Sequence, residues 1–530
     1  MAATGAMPTA EPSAGDMRLV ISASSLGTIF EWYDFFIWGT LTTTGILGKT
    51  YFPAGNEALA DLLSWAAFAV GFGFRPLGAI LFGYLGDKLG RKYTFLVTIT
   101  LMGIATAGIG LIPSYAAIGV AAPILILLMR VGQGLALGGE YGGAAIYVAE
   151  HSPGGRSGFY TSFIQASVVG GFILSLIVVL TVMGTVSRPQ WLAWGWRIPF
   201  LFSIVLLAVS LWMRLKLSES PVFKAIKEAG ETAANPFVES FTYPGNGKRL
   251  FVALFGIAAG LTVIWYTAMF SVLSFLKTMH VEDTTAQLIT GGAATLGLVF
   301  FILFGRLSDR IGRKPPIVWG YLLTLILLFP AFWVIGSAAN PGLAAAAKRA
   351  PVVVSGPNCA YDLFAGKQTD PCAQVLDLLA KKGVVYSKAQ SASVGVTVGG
   401  APVVDLTVQG IDAALTDAGY DLAPKVPSIQ SIAVILLAIL VLMALSGATY
   451  GPVAALLSEM FPSRIRYSSM SIPYHFGTGY FGGFLPLISQ YIIVRTGDPY
   501  AGLWYTFAVV AMALVVTALG LKETRGAAAS

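Results

Sequence analysis

An all-α polytopic membrane protein of 12 transmembrane helices, built as two six-helix pseudo-repeats with a small extracytoplasmic α/β insert, is the fold class this sequence predicts. Three observations lead there. Of 530 residues, 56% are hydrophobic and 11% charged, with a mean hydropathy of +0.74, a balance that soluble chains of this length do not reach. Apolar runs long enough to cross a hydrocarbon core of ~30 Å recur along most of the chain. Two loops, Gly83-Tyr-Leu-Gly-Asp87-Lys-Leu-Gly90-Arg91-Lys92 and Gly305-Arg-Leu-Ser-Asp309-Arg-Ile-Gly312-Arg313-Lys314, nearly repeat one another 222 positions apart.

Taken in order, residues 1–17 are small and polar and read as a disordered, cytoplasmic N-terminus. The first span is too long and too polar for a signal peptide and has no small-residue cleavage site after it. Apolar runs between charged or Pro/Gly-rich breaks place spans near 18–47, 59–86, 93–112, 120–149, 159–183 and 197–217, and then near 250–277, 286–307, 316–337, 429–457, 467–495 and 500–521. Residues 18–217 therefore read as the first six-helix bundle, 218–249 as a cytoplasmic linker and 250–339 as spans seven to nine. Residues 340–427 read as a periplasmic insert, 428–521 as spans ten to twelve and 522–530 as a cytoplasmic tail. An even number of spans puts both termini on one side. The basic residues Lys88, Arg91, Lys92, Arg156, Arg310, Arg313, Lys314, Arg464, Arg466 and Lys522 fall on that side, which makes it the cytoplasm. The net charge of +7 thus reports orientation in the membrane rather than affinity for nucleic acid.

The insert has its own argument. Glu150-x-x-Pro153 and Glu459-x-x-Pro462, each followed by Arg, form a second repeated pair 309 positions apart, so the second half carries about 87 more residues than the first, the length of the polar stretch between spans nine and ten. Helix parity places it outside. It holds both cysteines of the chain, Cys359 and Cys372, and the periplasm is oxidising, so a disulfide is expected, against the alternative of two unpaired thiols. The alternating run Val394–Val398 reads as a strand and Ile411–Ala418 as a helix.

Charged residues within spans cost several kcal/mol unless paired and are functional candidates by default. Span one carries Glu31-Trp-Tyr-Asp34, span two Arg75-Pro76, and span four Arg130-Val-Gly-Gln133-Gly-Leu-Ala-Leu-Gly-Gly-Glu140. At 1.5 Å per residue Asp34 and Arg130 lie at ~24 and ~29 Å from the same membrane face, close enough in depth to pair. A switchable pair, in which a proton on Asp34 frees Arg130, would couple protons to movement; the alternative is a fixed salt bridge. Glu31 and Glu140 are candidate relays, with Glu31 equally suited to partner Arg75 or a loop amide. Tyr33, Gln133, Gln165, Trp265, Tyr266, Tyr474 and His475, aromatic and polar groups at mid-span, join Arg75 as candidates to line a small-molecule site, although any one aromatic there is more often packing. Two central arginines suit a carboxylate; equally, Glu31, Asp34 and Glu140 would neutralise them, which leaves a zwitterion open.

The Gly-rich loops lack the Walker spacing of a phosphate cradle. A gate fits them better, with Gly83, Asp87, Gly90 and Arg91 in one copy and Gly305, Asp309, Gly312 and Arg313 in the other. Each Asp would clamp onto a neighbouring helix end or an arginine, and Glu150, Arg156, Glu459 and Arg464 belong to the same face. No metal-ligand cluster, nucleophile elbow or nucleotide loop is visible, so neither an enzyme nor a cofactor or metal is expected.

The Gly-x-x-x-Asp-x-x-Gly-Arg-Lys loops after spans two and eight resemble those of the major facilitator superfamily. Gly27-Thr-Ile-Phe-Glu31-Trp-Tyr-Asp34-Phe, Arg75-Pro76-Leu-Gly78, Arg130-x-x-Gln133-Gly134 and Gly138-Gly139-Glu140-Tyr-Gly-Gly are similar to its metabolite:proton symporter family. The resemblance spans nearly all of the chain outside residues 1–17 and the insert. It implies a monomeric inner-membrane carrier that imports a small organic acid with protons, its halves rocking around a central site. The pairing of Asp34 with Arg130 resembles the coupling pair of the related sugar:proton symporters. An osmolyte carrier for proline or betaine is the alternative; such members often carry a long C-terminal coiled coil, which this sequence does not show. A sensor using the insert is a third reading.

Overall fold

The computed structural model describes residues 14–52, 57–89, 91–139, 141–215, 236–357, 359, 361–362, 365, 368–462 and 465–525. Among them, nine helices are long and apolar enough to cross a membrane: Ala58–Phe82, Ala121–Ile146, Ser157–Thr185, Gly195–Met213, Asn246–Thr278, Asp283–Ile311, Lys314–Ala339, Ile429–Met460 and Leu503–Gly520. In the numbering read from the sequence these are spans two, four, five, six, seven, eight, nine, ten and twelve. At the positions numbered one, three and eleven lie helix Ala14–Thr42, helix Arg91–Leu111 and the polar, interrupted pair Arg466–Phe476 and Leu485–Thr496, which do not meet that criterion. Each packs into the same bundle: span one lies along span five, span three along span six, and span eleven against spans two and seven.

Bundle exteriors carry large apolar side chains, among them Leu128, Leu296, Trp319, Leu437 and Leu519, the arrangement expected where lipid replaces water as solvent. The interior is dense in aromatic rings and small residues. Span seven is regular only in part: it passes through two π-helical segments, Val252–Ala258 and Thr267–Ser271, on either side of Trp265 and Tyr266. Span eleven has a third, Gly477–Gly483, directly after His475 and Phe476. Such wide turns are frequent at functional positions.

The stretch between spans nine and ten folds as a small α/β unit. Strands β1 (Val352–Gly356), β2 (Tyr386–Gln390), β3 (Gly395–Val398) and β4 (Ala401–Pro402) form one sheet in the order β2-β1-β3-β4. β1 and β2 run parallel, which requires a crossover, and helix Pro371–Lys381 provides it. Its Asp370 caps the first turn by accepting from Ala373 N at 3.0 Å, while Cys372, Val375, Leu376 and Leu379 pack toward Val352 and Val354. The strand and helix read from the sequence at 394–398 and 411–418 are Gly395–Val398 and Val408–Asp417. Cys359 and Cys372 form a disulfide, with Cα atoms 5.3 Å apart.

The insert is seated firmly on the second half. His280 Nε2 bonds to Lys382 O at 2.9 Å, Lys425 N donates to His280 O at 2.9 Å, and Asn340 Nδ2 donates to Met279 O and Asp421 O. At the tightest point Gly383 has φ +61, and a Cβ there would lie 2.6 Å from Thr278 O. Only glycine allows both the left-handed turn and this approach to the end of span seven.

Candidate functional site

Asp34 is buried in span one and accepts a 2.5 Å hydrogen bond from Ser203 Oγ of span six. Arg130 of span four is fully buried and turns the other way. Its Nε and Nη2 donate to Ala67 O and Phe68 O at 3.2 Å, its Nη1 donates to Gln133 Oε1 at 2.6 Å, and the guanidinium lies 4.4 Å from the centre of the Phe35 ring. The direct Asp34–Arg130 pair anticipated from the sequence is therefore not formed in this conformation. The reason is local: the hydroxyl of span six and the carbonyls of span two each offer a nearer partner. Gln133 joins the two instead, because its Nε2 donates to Asp34 main-chain O at 3.1 Å and to Thr106 Oγ1 at 2.7 Å. Depth along the helix axis was readable in the sequence, but the rotation of each side chain about its helix was not.

Nearby, Arg75 lies fully buried over the rings of Trp32 and Phe72, at 5.1 and 5.2 Å, and within electrostatic range of Tyr266 and His475 from the second half. Both ring nitrogens of His475, the Tyr266 hydroxyl and Trp265 Nε1 are buried without a hydrogen-bond partner among the described residues. Desolvated donors and acceptors of this kind are costly unless something polar meets them. Around them the halves meet on aromatic faces: Phe36 stacks on Trp265 at 5.0 Å, and Phe72 meets Tyr266 at 5.5 Å.

The other sequence candidates divide. Tyr33 donates to Pro199 O at 2.6 Å and packs on Phe202, so it fastens span one to span six and does not face the centre. Tyr474 shares a 2.6 Å hydrogen bond with Tyr450 of span ten. Gln165 and Glu31 are buried in spans five and one. Glu140, Gly90 and Arg464 lie outside the described residues, as do the side chains of Asp87, Arg91 and Glu150, while Gly83 lies within the helix of span two. Sequence reading missed Ser203, the aromatic set Phe35, Phe36, Phe72 and Phe270, and the buried Gln287 and Thr290 of span eight. A serine in the apolar run of span six, which also holds Ser210, was the one signal available for Ser203.

At the end of the bundle that carries the C-terminal tail, the halves are clamped. Asp309 accepts from Gly158 N and Phe159 N, backbone donors in the first turn of span five, both at 2.8 Å. Arg313 bonds Asp309 at 2.6 Å, grips Glu459 through Nη2 at 2.8 Å and Nε at 3.2 Å, and donates to Ser157 Oγ at 2.7 Å. A Cβ on Gly158 would lie 2.5 Å from Gly305 O, so spans five and eight touch through backbone there. Gly312 ends span eight with φ 104, and Arg156 is exposed at the start of span five. Beyond span twelve, Glu523 accepts from Arg313 N at 2.8 Å and Lys314 N at 3.1 Å, and Thr524 Oγ1 donates to Glu459 Oε2 at 2.7 Å.

At the opposite end, beneath the insert, a cavity of about 640 Å³ opens between the halves. A smaller one of about 40 Å³ shares Trp65, Ser274 and Gln490 with it and reaches Phe270 in the aromatic layer. Among the described residues the halves thus meet at the tail end and part at the insert end.

Residues 19–242 match the family model described as sugar (and other) transporter, and residues 141–357 match that of MFS/sugar transport proteins. The proline/betaine transporter of Salmonella typhimurium is 37% identical over 331 residues, 61% of this chain and 66% of the relative, so the chain spans just under two thirds of that protein. The shikimate transporter of Escherichia coli is 36% identical over 326 residues, 59% of this chain and 72% of the relative. In fold, the chain is similar to the crystal structure of a D-xylose-proton symporter, with a TM-score of 0.60 and 16% identity over 96% of this chain and 98% of that one. With a third of the residues shared over most of the shikimate transporter, and the same fold as a solved carrier, this chain belongs to the major facilitator superfamily, among its metabolite transporters.

Proposed function

We propose that this protein imports a small organic acid together with protons across the inner membrane by alternating access. One observation carries the reading: the two halves are clamped at one end and parted at the other around buried charges, which is one of the two end states that such a cycle needs. In this reading the tail end is cytoplasmic and the insert periplasmic, supported by the basic residues Arg310, Arg313, Lys314 and Lys522 at the tail end. The protein acts as a monomer, since each chain contains both halves.

Asp34 is the proton carrier. Its protonation removes a negative charge from the buried site that also holds Arg130, and the guanidinium charge becomes available to a carboxylate; Glu31 and Glu140 relay protons along the same helices. Arg75, His475, Tyr266, Trp265 and Gln165 receive the substrate, with Tyr474 positioned by Tyr450. The Asp309–Arg313–Glu459 clamp and its counterpart at Asp87, Arg91 and Glu150 open and close the cytoplasmic side. A second reading, a proline or betaine carrier, is favoured by the 37% identity to a proline/betaine transporter.

The test is uptake of labelled shikimate, 2-oxoglutarate, citrate, protocatechuate, proline and betaine into proteoliposomes under an imposed inward proton gradient. Accumulation of one acid, abolished by an uncoupler, supports the first reading; accumulation of only proline or betaine replaces it with the second. No accumulation of any probe removes both.

A further inference from the structure

The cavity beneath the insert has features that the central site does not use. Its volume of about 640 Å³ falls within the usual range for small-ligand sites, about 300–1,000 Å³. Its charged lining is mixed in sign and divided between the halves. The first half supplies Asp61 and Arg188, and the second supplies Lys277, Glu282 and Asp283. These groups are close together: a methyl built on Gly45 would lie 3.3 Å from Lys277 Nζ and 3.7 Å from Asp61 Oδ1, and Asp283 is within electrostatic range of both Lys277 and Arg188. The insert contributes an uncharged wall through Ala380, Gly383, Val384 and Pro424, held in place by the contact of Gly383 with Thr278.

A free anion in this cavity would face three carboxylates, and a free cation would face two fixed cations. A molecule that carries both charges a few ångströms apart on a short carbon frame can satisfy both sets, with its apolar part against the insert. We infer that the outer cavity is a second, entry site that binds a short zwitterion between Asp61 and Lys277, with the insert as its third wall. Because its walls come from both halves, the bound molecule holds the insert end open, and closure of that end must expel it or pass it inward through the layer at Trp65 and Phe270. The inference goes beyond the proposed transport of an acid through the central site and stands without it.

Equilibrium binding to the purified full chain, with labelled L-proline, glycine betaine and shikimate as probes, tests it. The His475→Ala variant disables the central site, and a zwitterionic probe is expected to keep one saturable site on it. Adding Asp61→Asn with Lys277→Gln should weaken that site by at least about tenfold. Thr284→Trp, which fills the cavity and leaves every charge and the Gly383–Thr278 contact in place, should abolish it, with an unchanged elution profile showing that the variants fold. Residual binding that survives Thr284→Trp, or that takes shikimate as well as the zwitterions, overturns the inference, as does complete loss of binding in His475→Ala alone. Uptake measured in parallel separates the two readings: binding of a zwitterion in the outer cavity without any accumulation removes the transport proposal and leaves this one, and accumulation without an outer site does the reverse.

Discussion

Asp34 holds its carboxylate on a hydroxyl and not on a cation, which leaves it free to take up a proton without first breaking an ion pair. Asp34→Asn keeps the acceptor of the Ser203 bond and removes the titration, so proton-driven accumulation should be lost while counterflow exchange of substrate persists. Accumulation at the wild-type level would remove Asp34 from coupling. Gln133 links Arg130 to the Asp34 backbone, and Gln133→Leu deletes an acceptor from a buried guanidinium. A hydrogen bond to a charged group is worth about 1.5–3 kcal/mol, so the uptake rate should fall by about ten- to a hundredfold at unchanged expression. Mid-span Asp34, Arg130, Gln133 and His475 were legible in the sequence because a polar group in an apolar run stands out whatever its partner. Partners were not legible: Ser203 and the Phe36–Trp265 stack depend on how six helices rotate against one another, and aromatic residues are too common in spans to mark themselves.

Among elements, the insert and the tail are the additions that change how the bundle behaves. The Cys359–Cys372 bridge closes a loop of 13 residues next to the crossover helix of a four-stranded sheet. Removing it by Cys359→Ser with Cys372→Ser should cost the insert about 2–4 kcal/mol, seen as faster proteolytic cleavage between spans nine and ten while the bundle stays intact. Equal cleavage rates would make the bridge dispensable. The tail segment reaches back over the clamp through Glu523. Partial burial pushes the Glu523 carboxyl up, but the backbone N–H groups of Arg313, Arg525, Lys314 and Thr524 outweigh this and hold it below its ordinary value of 4.5. A depressed folded value means that its contribution is complete above the ordinary value and is lost as pH falls through the lowered one. Carboxypeptidase release of the tail should therefore be slow at neutral pH, accelerate only in acid below about pH 4.5, and be fast at every pH in Glu523→Gln. Nothing in the sequence marked Glu523 as more than the first acid after a span, because two of its backbone partners, Arg313 N and Lys314 N, lie about 210 residues away.

For the whole molecule, the proposed reading makes the clamp the element that sets which end is open. Arg313 is 3% exposed with Asp309 and Glu459 at 8% and 18%, and breaking a buried network of this kind typically costs about 3–5 kcal/mol. A shift of about 5.5 kcal/mol carries a two-state equilibrium from 1:99 to 99:1, so Arg313→Ala should convert most of the population to the state open at the tail end. Spin-label distances between spans five and eight at that end check it; a distribution identical to wild type would show that the clamp does not hold the state. The repeated loops and the place of the insert in the chain were legible from two loops and a spacing, since gross topology follows from where apolar runs start and stop. The present state, closed at one end, was not, because both end states satisfy the same pattern. The π segments of span seven have a mechanical consequence of their own. Each stores one surplus residue per turn, one on either side of Trp265 and Tyr266. Passing that slack from one side to the other would swivel the two rings by about 100° and slide them by about 1.5 Å while both ends of the helix stay still. Labels at the helix ends would register nothing of such a movement, and the indole of Trp265 would be the place to watch for it.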